Sequence, residues 1–430
     1  MRVQFESNKG NAPGVMPSAE IRRVVSGHMP ALDGLRGIAI LLVLIFHFSW
    51  APGVFAGLSQ RLLFGITGSG WTGVELFFVL SGFLITGILL DSKGAENYFS
   101  SFYLRRALRI LPLSYAALFV GFILCPLLGK LGLPFLPKEF STAQLWYWFY
   151  LGNWAWLRGQ DIGYFYHFWS LAVEEQFYLV WPCVIFMTSR RTLAKICIAL
   201  ALVAPILRIL LYIKGVDGFI FTTSHLDALG LGALAALIAR DENWVRLLIP
   251  RLNYLIYPGL VIFCLLGVAN RSFSSDGPAF VFGALPLAIF FTGLLLRAVA
   301  TTGSRSRLQQ FLQVGWLRSC GKYSYAMYVI HYPLIAGPYR DIVQPYLMRY
   351  IHRPPLWDWF HHPSILGGAI LLTLVIVHIL APCLFFFGVG KFSWWAFEGP
   401  INNLKRHFKP RWRSSIPRDT EVESCPDRRC

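Results

Sequence analysis

Residues 32–49 read LDGLRGIAILLVLIFHFS. The run is apolar and long enough for a membrane-crossing helix, with one cation near its start, Arg36, and one imidazole near its end, His47. On a helix, the eleven steps between them turn about 1100°, within about 20° of three full turns. Both side chains therefore share one face, separated by roughly 16 Å at about 1.5 Å per residue. A lipid-facing surface has no use for either group. Ionisable side chains inside a span are costly, face the bundle interior and point to function. A packing histidine bonded to a neighbouring helix is the rival reading of His47.

Working outward, the whole chain has the same character. Of 430 residues, 55% are hydrophobic and 14% charged, and mean hydropathy is +0.52. That balance excludes a soluble domain and predicts an all-α polytopic membrane protein. Ten spans are expected, near 34–53, 73–91, 107–128, 168–188, 195–213, 222–239, 254–270, 279–297, 322–340 and 364–388. The Trp- and Tyr-rich stretch Leu145–Leu157 is short and interrupted by Gly152 and Asn153, so an interfacial or re-entrant segment is expected there. With ten spans and both termini cytoplasmic, most of the Lys and Arg fall on the cytoplasmic side, as the positive-inside rule requires. The net charge of +17 then reflects topology and not a nucleic-acid partner. The expected organisation is a flexible cytoplasmic leader over 1–30, a transmembrane domain over 31–390 and a basic cytoplasmic tail over 391–430. The tail reads as a disordered arm beside anionic membrane lipid. No cleaved signal peptide is expected. Cys125, Cys183, Cys197, Cys264 and Cys383 lie in apolar runs and read as small core residues.

Several stretches carry groups able to do chemistry. FYLRRALRILP (102–112) crowds Arg105, Arg106 and Arg109 at the cytoplasmic entry of the third span. Arg106 and Arg109, three apart, share a face. With Arg36 at the same membrane level they make a mouth of guanidinium forks suited to phosphate. YHFWSLAVEEQFYLVWP (166–182) sets Glu174 and Glu175 inside an apolar span. Ser170, Glu174 and Tyr178 share a face, while Glu175 points about 100° away. Packing needs fewer carboxylates than two.

GVELFFVLSGFLIT (73–86) opens with Glu75, which reads either as an interfacial residue or as a companion of His47. Ser81 and Gly82 there permit close helix approach. TTSHLDALGLG (222–232) holds His225 and Asp227, and GKYSYAMYVIHYP (321–333) holds His331. For both histidines, packing and function are equally open. The loop 344–363 carries His352, Asp358, His361 and His362 at poor metal-ligand spacing, so no metal is expected. Its Trp357, Trp359 and Phe360 suit the interface or a sugar. No P-loop, nucleophile elbow or HExxH motif occurs.

In this order the motifs LDGLRGIAILLVLIFH, GVELFFVLSGFLIT, FYLRRALRILP, FWSLAVEEQFYLVWP, HLDALGLG and GKYSYAMYVIHYPL resemble the acyltransferase-3 family of integral membrane acyltransferases, from about Leu32 to about Phe387. The family includes O-antigen and exopolysaccharide O-acetyltransferases. The resemblance implies a ten-helix unit taking an acyl group, usually acetyl, from cytoplasmic acyl-CoA to a hydroxyl of a carbohydrate or glycolipid acceptor. It also implies a bacterial inner membrane. The family's Arg/His pair falls on Arg36 and His47, and its RxxR pair on Arg106 and Arg109. Position 75 is Glu where the family commonly has Asp. An SGNH-type extracytoplasmic domain is not expected here, so a second transfer step would need a separate protein.

These readings combine into one expected mechanism. CoA phosphates dock at Arg36, Arg106 and Arg109, with Arg105 beside them, and the pantetheine arm threads toward His47. His47 acts as general base on the acceptor hydroxyl or carries the acyl group. Glu174 or Glu175 orients it. Glu75, Trp169, Tyr178, His225, Asp227 and His331 are the candidate acceptor-binding residues. The rival class is a proton-coupled transporter or flippase of a lipid-linked sugar, since buried Arg, His and Glu also build proton relays. The absence of a visible internal repeat disfavours it.

Overall fold

Apolar runs with few charges become helices because a chain in hydrocarbon must satisfy its backbone hydrogen bonds internally. The computed structural model describes residues 28–48, 67–132, 141–160, 163–270, 273, 275, 277–335 and 365–412, and among these all regular structure is helical. The principal helices are α1 (Pro30–Phe48), α2 (Thr72–Ser92), α3 (Tyr98–Phe119), α4 (Phe168–Met187) and α5 (Arg190–Ile213). They continue with α6 (Leu226–Ile238), α7 (Asn253–Ala269), α8 (Pro278–Ala300), α9 (Gly315–Leu334) and α10 (Ile365–Ser393). Each of the ten predicted segments overlaps one of them.

Six helical stretches are long and apolar enough to cross a membrane, or seven if the bent pair Thr222–Ile238 and Glu242–Arg251 counts as one span. The protein is a multi-pass membrane protein. α4 and α9 fall outside that set because Glu174, Glu175 and Gln176 on one, and Arg318 and Lys322 on the other, lower their apolarity. α7 is apolar but short. The stretch expected to be interfacial forms two short helices, Gln144–Trp148 and Gly152–Leu157, each too short to cross a bilayer. Tyr150 between them takes a positive φ of 55°, which breaks the helix there.

Local signals set the ends. Pro30 and Pro278 open α1 and α8, where a missing amide proton costs nothing. Ser189 caps α5 by accepting from the Thr192 amide at 3.2 Å. α3 runs on through a π-turn at Val120–Leu124 into Cys125–Lys130.

Two helix pairs form the centre, α1 with α9 and α2 with α6, and α1 and α2 pack on each other. Glycine permits these close approaches. A Cβ at Gly82 would lie 2.1 Å from the Leu229 carbonyl oxygen, and one at Gly232 the same distance from that of Val79. In the other pair, a Cβ at Gly321 would lie 1.8 Å from the Asp33 carbonyl oxygen. Small residues at such crossings let backbones touch where lipid supplies no hydrophobic drive. α4 packs against α2, and α3 packs against α9, which leaves a cleft bounded by α1, α2, α3, α4 and α9.

Two expectations change. The tail is not a disordered arm over its first part: α10 extends to Ser393, and helical turns continue through Trp394–Glu398, Gly399–Asn403 and Leu404–Phe408. Its aromatic residues pack: Trp394 lies against Tyr323, with ring centroids 6.3 Å apart. Cys197 and Cys383 are buried, but Cys183 and Cys264 are exposed on outward helix faces, so those two are not core residues. The leader 1–27, the loop with His352, Asp358, His361 and His362, its neighbours Trp357, Trp359 and Phe360, and the tail beyond 412 lie outside the described residues.

Candidate functional site

The cleft encloses about 100 Å³ and brings together Arg36, Arg106, Arg109, Ser81, Glu174 and Tyr178, with Ser170, Tyr325 and Tyr328 also on its wall. Helical period explains the selection. Arg106 and Arg109 share a face of α3 and both line the cleft. Arg105, one step of about 100° away, is exposed and lies off the cleft, which corrects its expected place among the phosphate ligands. Arg36 reaches Asp33 at 3.4 Å, while Arg106 and Arg109 form no ion pair among the described residues. The Arg106 guanidinium sits over the Tyr178 ring, 5.5 Å from its centroid.

Opposite the arginines is a hydrogen-bonded wall. Ser81 donates to Glu174 Oε1 at 2.6 Å. Tyr178 Oη lies 3.1 Å from Glu174 Oε2 and 3.0 Å from Ser81 Oγ, and its single proton serves one of the two. Glu175 points elsewhere, as its place on α4 dictates, and its Oε1 is buried without a partner. Neither glutamate bonds to His47. The expectation that one of them orients that ring is replaced by a different partner.

That partner is His331. Its Nδ1 lies 2.6 Å from the Tyr328 carbonyl oxygen and must donate to it, which makes Nε2 the acceptor of the neutral ring. His331 Nε2 lies 3.3 Å from His47 Nδ1, which also lies 2.9 Å from the Val43 carbonyl oxygen. Both neighbours are acceptors, so the proton of neutral His47 sits on Nδ1. Its Nε2 keeps the lone pair, with no partner among the described residues. Two backbone carbonyls thus select the tautomer that a base or nucleophile needs.

His167, at the entry of α4, completes a cluster of three imidazoles. Its ring centroid is 5.0 Å from that of His331 and it stacks on Tyr332. Its Nε2 donates to the Val329 carbonyl oxygen at 3.3 Å, and Nδ1 is buried without a partner. His47 itself does not line the cleft. The link runs through Tyr328, which donates to the His167 carbonyl oxygen and accepts from Ser170 at 2.6 Å. Ser170 and Tyr328 line the cleft on one side and meet the imidazoles on the other.

The remaining candidates form separate groups. Glu75 is 1% exposed and pairs with the fully buried His225 at 2.7 Å, so it is neither interfacial nor beside His47. His225 Nε2 donates to the Phe219 carbonyl oxygen at 2.5 Å, which leaves one proton held between Nδ1 and Glu75 Oε1. Glu75 Oε2 is buried without a partner. Phe78, whose ring is 4.9 Å from His225, separates this pair from the cleft. Trp169 stacks on His225, with centroids 5.1 Å apart, and is not on the cleft wall. Asp227 is committed to Arg208 at 2.7 Å, with both side chains buried. Arg208 also donates to the carbonyl oxygens of Ser224 and Val281, so this pair ties α5, α6 and α8 together.

Residues 29–381 match the model of a family described as an acyltransferase domain, Acyl_transf_3. The chain belongs to the acyltransferase-3 family. All of α1 to α9 falls within the match, and the helical turns at 394–408 lie beyond it. This acyltransferase-3 chain is 30% identical over 349 residues to the peptidoglycan O-acetyltransferase OatA of Listeria monocytogenes, covering 75% of the chain and 52% of that protein. It is 31% identical over 343 residues to the putative peptidoglycan O-acetyltransferase YrhL of Bacillus subtilis, covering 74% and 50%. It is 28% identical over 357 residues to the O-acetyltransferase OatA of Staphylococcus aureus, covering 76% and 53%. The chain therefore spans about half the length of the curated relatives it matches. No solved structure matches it.

Reading the sequence alone missed His167 and Tyr328, which the structure brings between the cleft and His47. His167 had a signal, its place about two turns before the paired glutamates of α4. Tyr328 had none, because only the crossing of α4 and α9 brings it to Ser170.

Proposed function

We propose that this chain transfers an acyl group, in the first place acetyl, from acyl-CoA to a sugar hydroxyl of a cell-wall or surface glycan. Both substrates meet within the bundle. Ten spans with both termini cytoplasmic, in a bacterial inner membrane, place the arginine end of the cleft toward the cytoplasm. CoA phosphates engage Arg36, Arg106 and Arg109, and the arm passes Ser81, Glu174 and Tyr178. One observation carries this reading. A cleft with two guanidiniums that lack an ion pair among the described residues is joined through Ser170, Tyr328 and His331 to a histidine whose Nε2 has no partner among them. Guanidinium forks suit phosphate.

In the reaction, His47 Nε2 takes the proton of the acceptor hydroxyl as its oxygen attacks the thioester carbonyl. The C–O bond forms and the C–S bond breaks. CoA leaves as thiolate and recovers the proton held on His47. His331 and the Val43 carbonyl hold the ring in the tautomer this needs. The names of the relatives favour a peptidoglycan sugar as acceptor.

The test is the full chain in liposomes with labelled acetyl-CoA and an N-acetylglucosamine oligomer. Label should appear as an ester on the acceptor, and His47→Ala or Arg36→Ala should cut transfer by about 100-fold or more. Full transfer by either variant, or movement of unmodified acceptor across the bilayer, would overturn the reading. The second outcome would point to a transporter.

A further inference from the structure

The segment that follows α10 is a strap across the end of α3. It descends from Ser393 through helical turns to Phe408 and packs on α3, the helix that carries Arg105, Arg106 and Arg109. Asn97, the residue before α3, clasps it with both ends of its amide. Nδ2 donates to the Lys409 carbonyl oxygen at 3.0 Å, and Oδ1 accepts from the Arg411 amide at 2.7 Å. The Glu96 amide adds a bond to the Arg411 carbonyl oxygen at 3.0 Å. This part of the chain lies outside the family match.

The strap delivers a fourth cation to the arginine cluster. Lys405 is half-buried, its Nζ donates to Asn402, and it lies within electrostatic reach of Arg105, Arg106 and Arg109. The acid facing it is Glu398, which also lies in the field of Arg109 and accepts from Ser393 at 2.9 Å. Lys405 thus adds its positive charge to that of Arg106 and Arg109 on the cleft wall, with Glu398 facing Lys405 and Arg109, and such a set of cations favours an anion. Arg106 and Arg109 line the cleft, whereas Lys405 and the rest of the strap do not. A CoA donor whose arm lies in the cleft keeps its nucleotide at the mouth. CoA carries two anionic groups there, the pyrophosphate and the ribose 3′-phosphate. Arg106 and Arg109 on the cleft wall suit the first, which leaves the second for the cation farther out.

We propose that Lys405 binds the 3′-phosphate of the CoA donor and that the strap makes this chain selective for CoA over 3′-dephospho-CoA. This rests on the donor reading above. Lysine serves a terminal phosphate as a mobile point charge, whereas the arginine forks hold the pyrophosphate bidentately.

The test measures binding of CoA and of 3′-dephospho-CoA to the full chain in nanodiscs of zwitterionic lipid, where no anionic headgroup competes. The wild type should prefer CoA by about tenfold, the size of one charge-assisted contact. Lys405→Gln should bring the two within about twofold by weakening CoA alone, and Lys405→Arg should keep the preference. An unchanged preference in Lys405→Gln, no preference in the wild type, or equal loss of both ligands in Lys405→Gln would each overturn the proposal while leaving CoA as donor. Failure of the wild type to bind CoA would remove the donor reading itself.

Discussion

His331 Nε2 faces His47 Nδ1 at 3.3 Å, and the carbonyl oxygens of Tyr328 and Val43 fix the proton of each ring on its Nδ1. His331 thus stands to His47 as the carboxylate of a triad stands to its histidine, an acceptor facing Nδ1. It holds the tautomer and the ring plane, without bringing a full negative charge into the bundle.

Replacing His331 by Phe keeps the aromatic volume and removes the acceptor. Transfer should fall by about 100-fold through kcat, as expected when a reacting group is left misaligned, with KM for the donor unchanged. Steady-state kinetics on the inserted protein decide it, and a rise in KM alone would assign His331 to substrate binding instead.

Removing Arg106 and Arg109 together should act on donor binding. Each charge-assisted contact contributes about 1.5–3 kcal/mol, so the double alanine variant should raise KM for acetyl-CoA by at least about 100-fold. Arg105→Ala should change it little, because Arg105 is exposed and off the cleft. Equal effects at the three positions would contradict the division of the α3 faces.

Gly321→Ala should separate α1 from α9, since the new Cβ would fall 1.8 Å from the Asp33 carbonyl oxygen. Overpacking of this kind costs about 1–3 kcal/mol. At Gly388 on α10 a Cβ meets nothing within 4 Å, and alanine there should stay within about 0.5 kcal/mol of the wild type. Thermal unfolding in detergent separates the two, and equal Tm values would remove the close-approach account.

Arg208→Ala leaves Asp227 charged and unpaired among buried residues, a loss of about 3–5 kcal/mol. The pair variant Arg208→Met with Asp227→Leu should recover most of that stability and keep transfer per folded molecule. If stability returns and transfer does not, Asp227 belongs to the site and not only to the framework.

The sequence by itself determined the helices and the faces they present. Apolar runs, with few charges within them, dictate where α1 to α10 lie, because backbone groups in hydrocarbon have only intrahelical partners. Helical period places Glu174 with Ser170 and Tyr178, turns Glu175 away, and joins Arg106 to Arg109 while expelling Arg105. Tertiary structure decided what those faces meet. Ser81 reaches Glu174 across 93 residues of chain, and His331 reaches His47 across 284. Glu75 turned from His47 to His225 because α2 and α6 close on Gly82 and Gly232, and the basic tail became a strap because Asn97 offers its backbone two hydrogen bonds. Such contacts depend on which helices cross and how closely. A local pattern records the period of one helix, but packing between distant helices leaves no period in either of them.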